Sequence, residues 1–123
     1  MSGISGIYLI DKKGKVLVQR RYRSDIPSST YDVFNKAMKK VDHVTSKPIF
    51  TEKGMTFCYT KHSNITFLAV TKRNSNATMV FSFLYKLIEI FKEYFNEIDD
   101  DSIKDNFVII YELLDEMMDN GYP

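Results

Sequence analysis

The sequence predicts an α/β fold of the α+β type: a five-stranded antiparallel sheet in the element order ββαβββαα, with one helix on one face and two on the other. Three observations predict it. The last third, residues 76–121, holds two long helical stretches, and the apolar arc of the first is too broad for a helix covered on one side only. Five shorter segments before it have strand character, and hairpin-length turns between them favour antiparallel pairing. An ordinary amphipathic helix interrupts the strands, and three helices in two groups can sandwich one sheet.

The first strand spans residues 4–10. Ile4, Gly6, Tyr8 and Ile10 alternate with Ser5, Ile7 and Leu9, and both sets are largely apolar, as in a strand covered on both faces. Asp11-Lys12-Lys13-Gly14 is a hairpin turn with glycine where positive φ is tolerated. Residues 15–22 return as a second strand, apolar at Val16, Leu17 and Val18 and charged at Arg20 and Arg21, which places its end at a sheet edge or rim. Asp25-Ile26-Pro27-Ser28-Ser29 breaks the sheet, and Ser29 with Asp32 resembles a capping box. The helix predicted over residues 30–42 puts Tyr31, Val33, Phe34, Ala37, Met38 and Val41 on the sheet side and its lysines on the other.

Three strands come next, over residues 48–52, 55–61 and 65–72, the first begun by a proline and read as an edge. Asn76 is a natural N-cap for the long helix. The polar residues of that helix (Thr78, Ser82, Lys86, Glu89, Lys92, Glu93, Asn96 and Glu97) occupy one arc, and the rest of the circumference is apolar. Ser102 with Asp105 reads as a second capping box, and Asn120-Gly121 as a helix stop.

The 123 residues are a single-domain length able to bury roughly two-thirds of their unfolded surface. Cys58 is the one cysteine, so an internal disulfide is excluded and a reducing compartment fits. Nothing at the start reads as a signal peptide, Ser2 does not support myristoylation, and no stretch approaches the roughly 20 apolar residues of a membrane span. Charge is unevenly distributed. Residues 1–73 carry 14 Lys and Arg against 5 Asp and Glu, whereas residues 74–123 carry 3 against 11.

The search for chemistry returns no catalytic set. His43 and His62 fall in different elements, with no cysteine or carboxylate at ligand spacing, so neither a metal nor a cofactor is indicated. Cys58 lies mid-strand, as a small packing residue does. The acidic run 99–105 lacks the sixth-position glycine and twelfth-position glutamate of a calcium loop, where Lys104 and Ile110 stand. Asn64 and Asn76 match the glycosylation sequon only inside a turn and at a helix cap. The aromatics keep core periodicity and are not interleaved with arginines, unlike a nucleic-acid platform.

Surplus apolar surface is left over. Met79, Phe83, Ile90 and Tyr94 lie at the margin of the long helix's arc. Ile103, Phe107, Ile110, Leu113, Leu114 and Met117 make one stripe on the last helix, and Val108 and Ile109 fall outside it. Met79, Phe83, Ile90, Tyr94, Val108 and Ile109 are read as a partner interface, the alternative being burial within the domain. A second candidate surface is basic: Arg20, Arg21, Arg23, Lys36, Lys39 and Lys40, suited to an anionic membrane or an acidic partner, the alternative being a solvated face.

The element order resembles the longin fold. YLIDKKGKVLVQRRYRSDI, LAVTKRNSNATMVFSFLYK and IKDNFVIIYELLDEMMDNGYP together resemble the N-terminal longin domain of the medium (mu) chain of a heterotetrameric clathrin adaptor, over essentially the whole chain. FSFLYK followed by EYF, and DNFVIIYELLDEMMD, are most similar to the type-one adaptor of the trans-Golgi network and endosomes. The resemblance implies a non-enzymatic assembly role without cofactors. It implies docking on the beta-type large chain, contact with the other adaptor subunits, and recruitment with an Arf-family GTPase, phosphoinositides and clathrin through the complex. It also implies peripheral association with coated-vesicle membranes, and a separate C-terminal cargo-binding domain beyond residues 1–123. The competing reading is a longin-type SNARE or tethering-complex subunit regulating membrane fusion.

Overall fold

Two neighbouring strands at the middle of one sheet set the architecture. The computed structural model describes residues 4–22, 29–40, 48–72 and 77–119, with the backbone alone for Lys39, Lys40 and Asp119. In chain order the elements are β1 (Ile4–Ile10), β2 (Val16–Arg21), α1 (Thr30–Lys40), β3 (Ile49–Glu52), β4 (Met55–His62), β5 (Ile65–Lys72), α2 (Ala77–Tyr94), α3 (Asp100–Asp105) and α4 (Phe107–Asp119). The strands form a single sheet in the order β2-β1-β5-β4-β3, and every neighbouring pair is antiparallel. The chain passes from the β2 edge to the β3 edge through α1, so each half of the sheet is a hairpin or meander and only β1–β5 pairing joins them.

β1 is buried at every position, and β5 at all but Thr66 and Lys72. Alternation sends the side chains of each strand to two separate cores. Tyr8, Ile10, Phe57, Tyr59, Leu68 and Val70 meet Phe34 of α1 on one face. Ile7, Leu9, Cys58, Phe67 and Ala69 meet α2, α3 and α4 on the other. A register shift between Leu9 and Ile10 lets Val16 pack with the first core while Val18, two residues on, packs with the second.

The turns obey their sequences. The Asp11 carboxylate accepts from the Lys13 and Lys15 amides at 2.9 and 2.8 Å, which satisfies a charge that is only 7% exposed. Gly14 has φ +91°, and the Tyr31 hydroxyl donates to its carbonyl, tying α1 to the β1–β2 hairpin. Lys53 and Gly54 both have positive φ, as a two-residue β3–β4 turn requires.

On the α1 face, Phe34 lies 5.9 Å from Phe50, 5.9 Å from Phe57 and 5.7 Å from Tyr59, ring centre to ring centre. On the other face α2 buries Val80, Phe83, Leu84, Leu87, Ile88 and Phe91, the spacing of one helical stripe.

The C-terminal helices depart from expectation in three places. α2 ends at Tyr94, and Phe95 and Ile98 enter the core from the connecting segment. The capping box starts one turn earlier: Asp99 accepts from the Ser102 amide at 2.8 Å, and Ser102 Oγ accepts from the Asp99 amide at 3.0 Å. Ser102 is therefore the third helical residue and not the cap, because Asp99 already holds the first free amides. The expected last helix is two helices. In a continuous helix the Asn106 amide would bond the Ser102 carbonyl; here the Asn106 side chain donates to that carbonyl at 2.7 Å and its amide bonds Ile103 at 3.3 Å. Asn106 is thus a joint. The caps assigned to Asn76 and to Asn120-Gly121 lie outside the described residues.

Phe34→Ala should destabilise the fold by about 3–5 kcal/mol in a urea titration, since four ring contacts go with it, those with Tyr31, Phe50, Phe57 and Tyr59. Asp99→Ala should cost about 1 kcal/mol in the same measurement.

Candidate interaction surface

The described residues expose six large hydrophobic side chains: Met79, Tyr85, Tyr94, Phe107, Val108 and Ile109. Three of them are consecutive and follow directly on the joint at Asn106. Phe107, expected in the buried stripe, is 51% exposed. Val108 is 56% and Ile109 41% exposed beside it. The stripe resumes with Ile110, Leu113, Leu114 and Met117, all buried. Tyr94 is 59% exposed at the end of α2. An open depression of about 530 Å³ brings Tyr94 and Ile109 together, with Phe95, Glu97, Asp99 and Asn106 also on its wall. Residues from α2, the connecting segment, α3 and α4 therefore form one surface.

The other expected interface residues separate from it. Phe83 is fully buried, which corrects its assignment to an exposed margin. It belongs to the core that also holds Ile103, Ile110 and Leu114, so this flank of α2 is filled by the C-terminal helices as well as the sheet. Ile90 is half-buried and packs on the same core. Met79 is 43% exposed in the first turn of α2, more than three turns from Tyr94. Tyr85 is exposed too; it falls within the polar arc of α2, between Ser82 and Glu89 in the chain, a signal that the sequence reading passed over.

Of the basic set, Arg20 is parted from Arg21 and Lys36. Arg20 points to the α4 side, where Nε and Nη2 donate to the two carboxylate oxygens of Asp115 at 3.0 and 2.8 Å. Its guanidinium carbon also lies 5.9 Å from the Tyr22 ring centre and 5.7 Å from that of Tyr111. The Tyr111 hydroxyl donates to the Gln19 carbonyl at 3.3 Å, so α4 clasps β2 through two contacts. Arg21 alternates to the α1 side, where its charge opposes the rise that burial imposes on the Tyr8 hydroxyl's pKa. Lys36 is exposed on α1, across the sheet from Arg20. Arg23 and the side chains of Lys39 and Lys40 lie outside the described residues.

Nucleophile and metal chemistry find no foothold among the described residues. Burial pushes the Cys58 thiol up from 9.0 to about 11, away from the reactive thiolate. Among the described residues no three His, Cys, Asp or Glu side chains are grouped to hold a metal ion, and no helix is long and apolar enough to cross a membrane.

A small antiparallel sheet between one helix and a long helix with its C-terminal partners is the longin fold. Residues 3–122 match the family model of the clathrin adaptor complex small chain, and the chain belongs to that family. It is 51% identical over 119 residues to the AP-1 complex subunit mu of Dictyostelium discoideum, and 44% identical over 120 residues to AP-1 complex subunit mu-2 of Rattus norvegicus. Each match covers 97% of this chain and 28% of the relative, so the chain spans little more than a quarter of those proteins. In structure it is similar to a chain of a homology model of the full-length AP-3 complex in a stretched open conformation. That match has a TM-score of 0.74 and 11% identity, over 97% of this chain and 83% of that one. A chain of the intermediate open AP-3 model gives a TM-score of 0.70 at 19% identity, over 96% of this chain and 30% of that one. These likenesses carry the fold.

The Cys58 environment has a measurable sign. The unfolded thiol ionises near its ordinary 9.0 and the folded one only near about 11, so its contribution to stability is intact below pH 9 and declines as pH rises towards 11. At pH 8 a thiol reagent should modify the native chain about 100-fold or more slowly than the urea-unfolded chain, given the lower thiolate fraction alone.

Proposed function

We propose that this chain is the N-terminal longin-like assembly domain of a clathrin adaptor medium chain, most like that of the type-one adaptor. It acts in vesicle-mediated intracellular protein transport and cargo sorting. Its role is structural and not enzymatic. It docks on the beta-type large chain, and through the assembled complex it meets the other subunits, an Arf-family GTPase and clathrin. It sits in this way on the cytoplasmic side of trans-Golgi and endosomal membranes as a peripheral component, and cargo is read by a further domain of the full-length protein.

The observation that carries this reading is the similarity to AP-1 mu subunits along 97% of the chain. The exposed Tyr94–Phe107–Val108–Ile109 surface supports it physically. A fold whose core is already closed by Phe83, Leu87, Phe91 and Leu114 has no internal use for three further consecutive apolar side chains. Such a patch favours a partner that removes it from water, at roughly 25 cal/mol per Å² buried.

Co-expression with the N-terminal trunk of a beta-type large chain should give a stoichiometric complex on gel filtration. Val108→Asp and Ile109→Asp should each weaken it by about 2 kcal/mol, as loss of an interface anchor does. Both should leave the free chain's stability within about 0.5 kcal/mol, because the side chains are exposed. A well-folded chain that ignores the trunk would refute the reading and bring forward a longin-type tethering or fusion role.

A further inference from the structure

We infer that the segment seated on the Tyr94–Ile109 surface is a basic amphipathic helix, apolar along one edge and carrying Lys or Arg on its flanks. The inference rests on the docking reading above and adds the chemistry of the docked element.

The first observation is the charge around the apolar patch. Glu97 and Asp99 line the depression between Tyr94 and Ile109. Glu93 is exposed one residue before Tyr94. On α4, Glu112 and Glu116 succeed Val108 at intervals of four, on the same helical face, and both are exposed. Residues 77–119 carry 11 Asp and Glu against Lys86, Lys92 and Lys104. The Arg20 salt bridge engages Asp115, whereas Glu97, Glu112 and Glu116 have no ion-pair partner among the described residues. An apolar patch framed this way repels an acidic partner and draws a basic one, and desolvation at the contact strengthens that discrimination.

The second observation is the architecture of the surface. It is built from helix ends and side-chain ridges, and no strand residue lines the depression. An added strand finds no open ladder there. A helix can lay a row of apolar side chains along Tyr94 and Ile109 while its flanking cations meet Glu97 on one side and Glu112 on the other.

The test is a calorimetric titration of the chain with the beta-type trunk at low and high salt. It compares the unaltered chain with Glu97→Lys/Glu112→Lys and with the neutral Glu97→Gln/Glu112→Gln, thermal melts confirming that each variant is folded. The charge reversal should weaken binding about tenfold or more, the neutral pair less, and both should flatten the salt dependence. A folded reversal variant that binds within about twofold of the original overturns the inference and leaves the docking reading standing. Failure of the unaltered chain to bind the trunk at any salt overturns both. A dimer of the chain alone that the reversal abolishes assigns the surface to a second copy and overturns the inference too.

Discussion

The antiparallel pairing of β1 with β5 is the constraint on which the rest depends. It is the one junction between the two halves of the sheet, running from Ile4↔Thr71 to Ile10↔Thr66. The two strands of that seam are almost wholly dry, so apolar material must lie on both faces at once. The two covers are unequal. α1 manages its side with one short helix because Phe34 sits among three aromatic rings of the sheet, those of Phe50, Phe57 and Tyr59. The other side takes an 18-residue helix and two more behind it, which is why the last third of the chain is so rich in Phe, Leu and Ile.

That inequality explains where surplus apolar surface accumulates. The α1 side has little to spare, whereas α2 is approached from the sheet and from α3–α4 together. The late apolar residues divide around the joint at Asn106. There one amide side chain takes a carbonyl that a backbone N–H would otherwise hold; Phe107, Val108 and Ile109 beyond it face outward, while Ile110 and Leu114 lie in the core.

Most of the sheet was legible in the sequence because its signals are local. Strand alternation, Gly14 in its turn and the apolar stripe of α2 depend on residues a few positions apart, and β1 and β5 have the bounds that their alternation predicts. The departures all need information from across the chain or from side-chain geometry. Phe83 sits at the edge of a helical wheel, and only the packed C-terminal helices decide that such an edge is covered. Arg20 meets Asp115 from 95 residues away, so nothing near Arg20 distinguishes it from a solvated cation. Asn106 has helical neighbours on both sides, and periodicity counted through it gives one helix where there are two. Of the candidate surface, Val108, Ile109 and Tyr94 could be picked out by pattern; Phe107 could not, because periodicity counts it with the buried stripe.

The clasp of α4 over β2 has a consequence for the order in which the chain is made. An edge strand is a template for a neighbour's backbone until something occupies it. Here the occupants are Tyr111 and Asp115, which reach back 92 residues to Gln19 and 95 residues to Arg20. A ribosome delivers β2 early and α4 last, so the nascent β2–β1–β5–β4–β3 sheet stands with that edge bare, and its larger face without its last cover, until α4 has been synthesised. The hazard of misassembly is thus concentrated in the interval before the final helix emerges. The same helix that ends that interval also carries the exposed Phe107, Val108 and Ile109 into place.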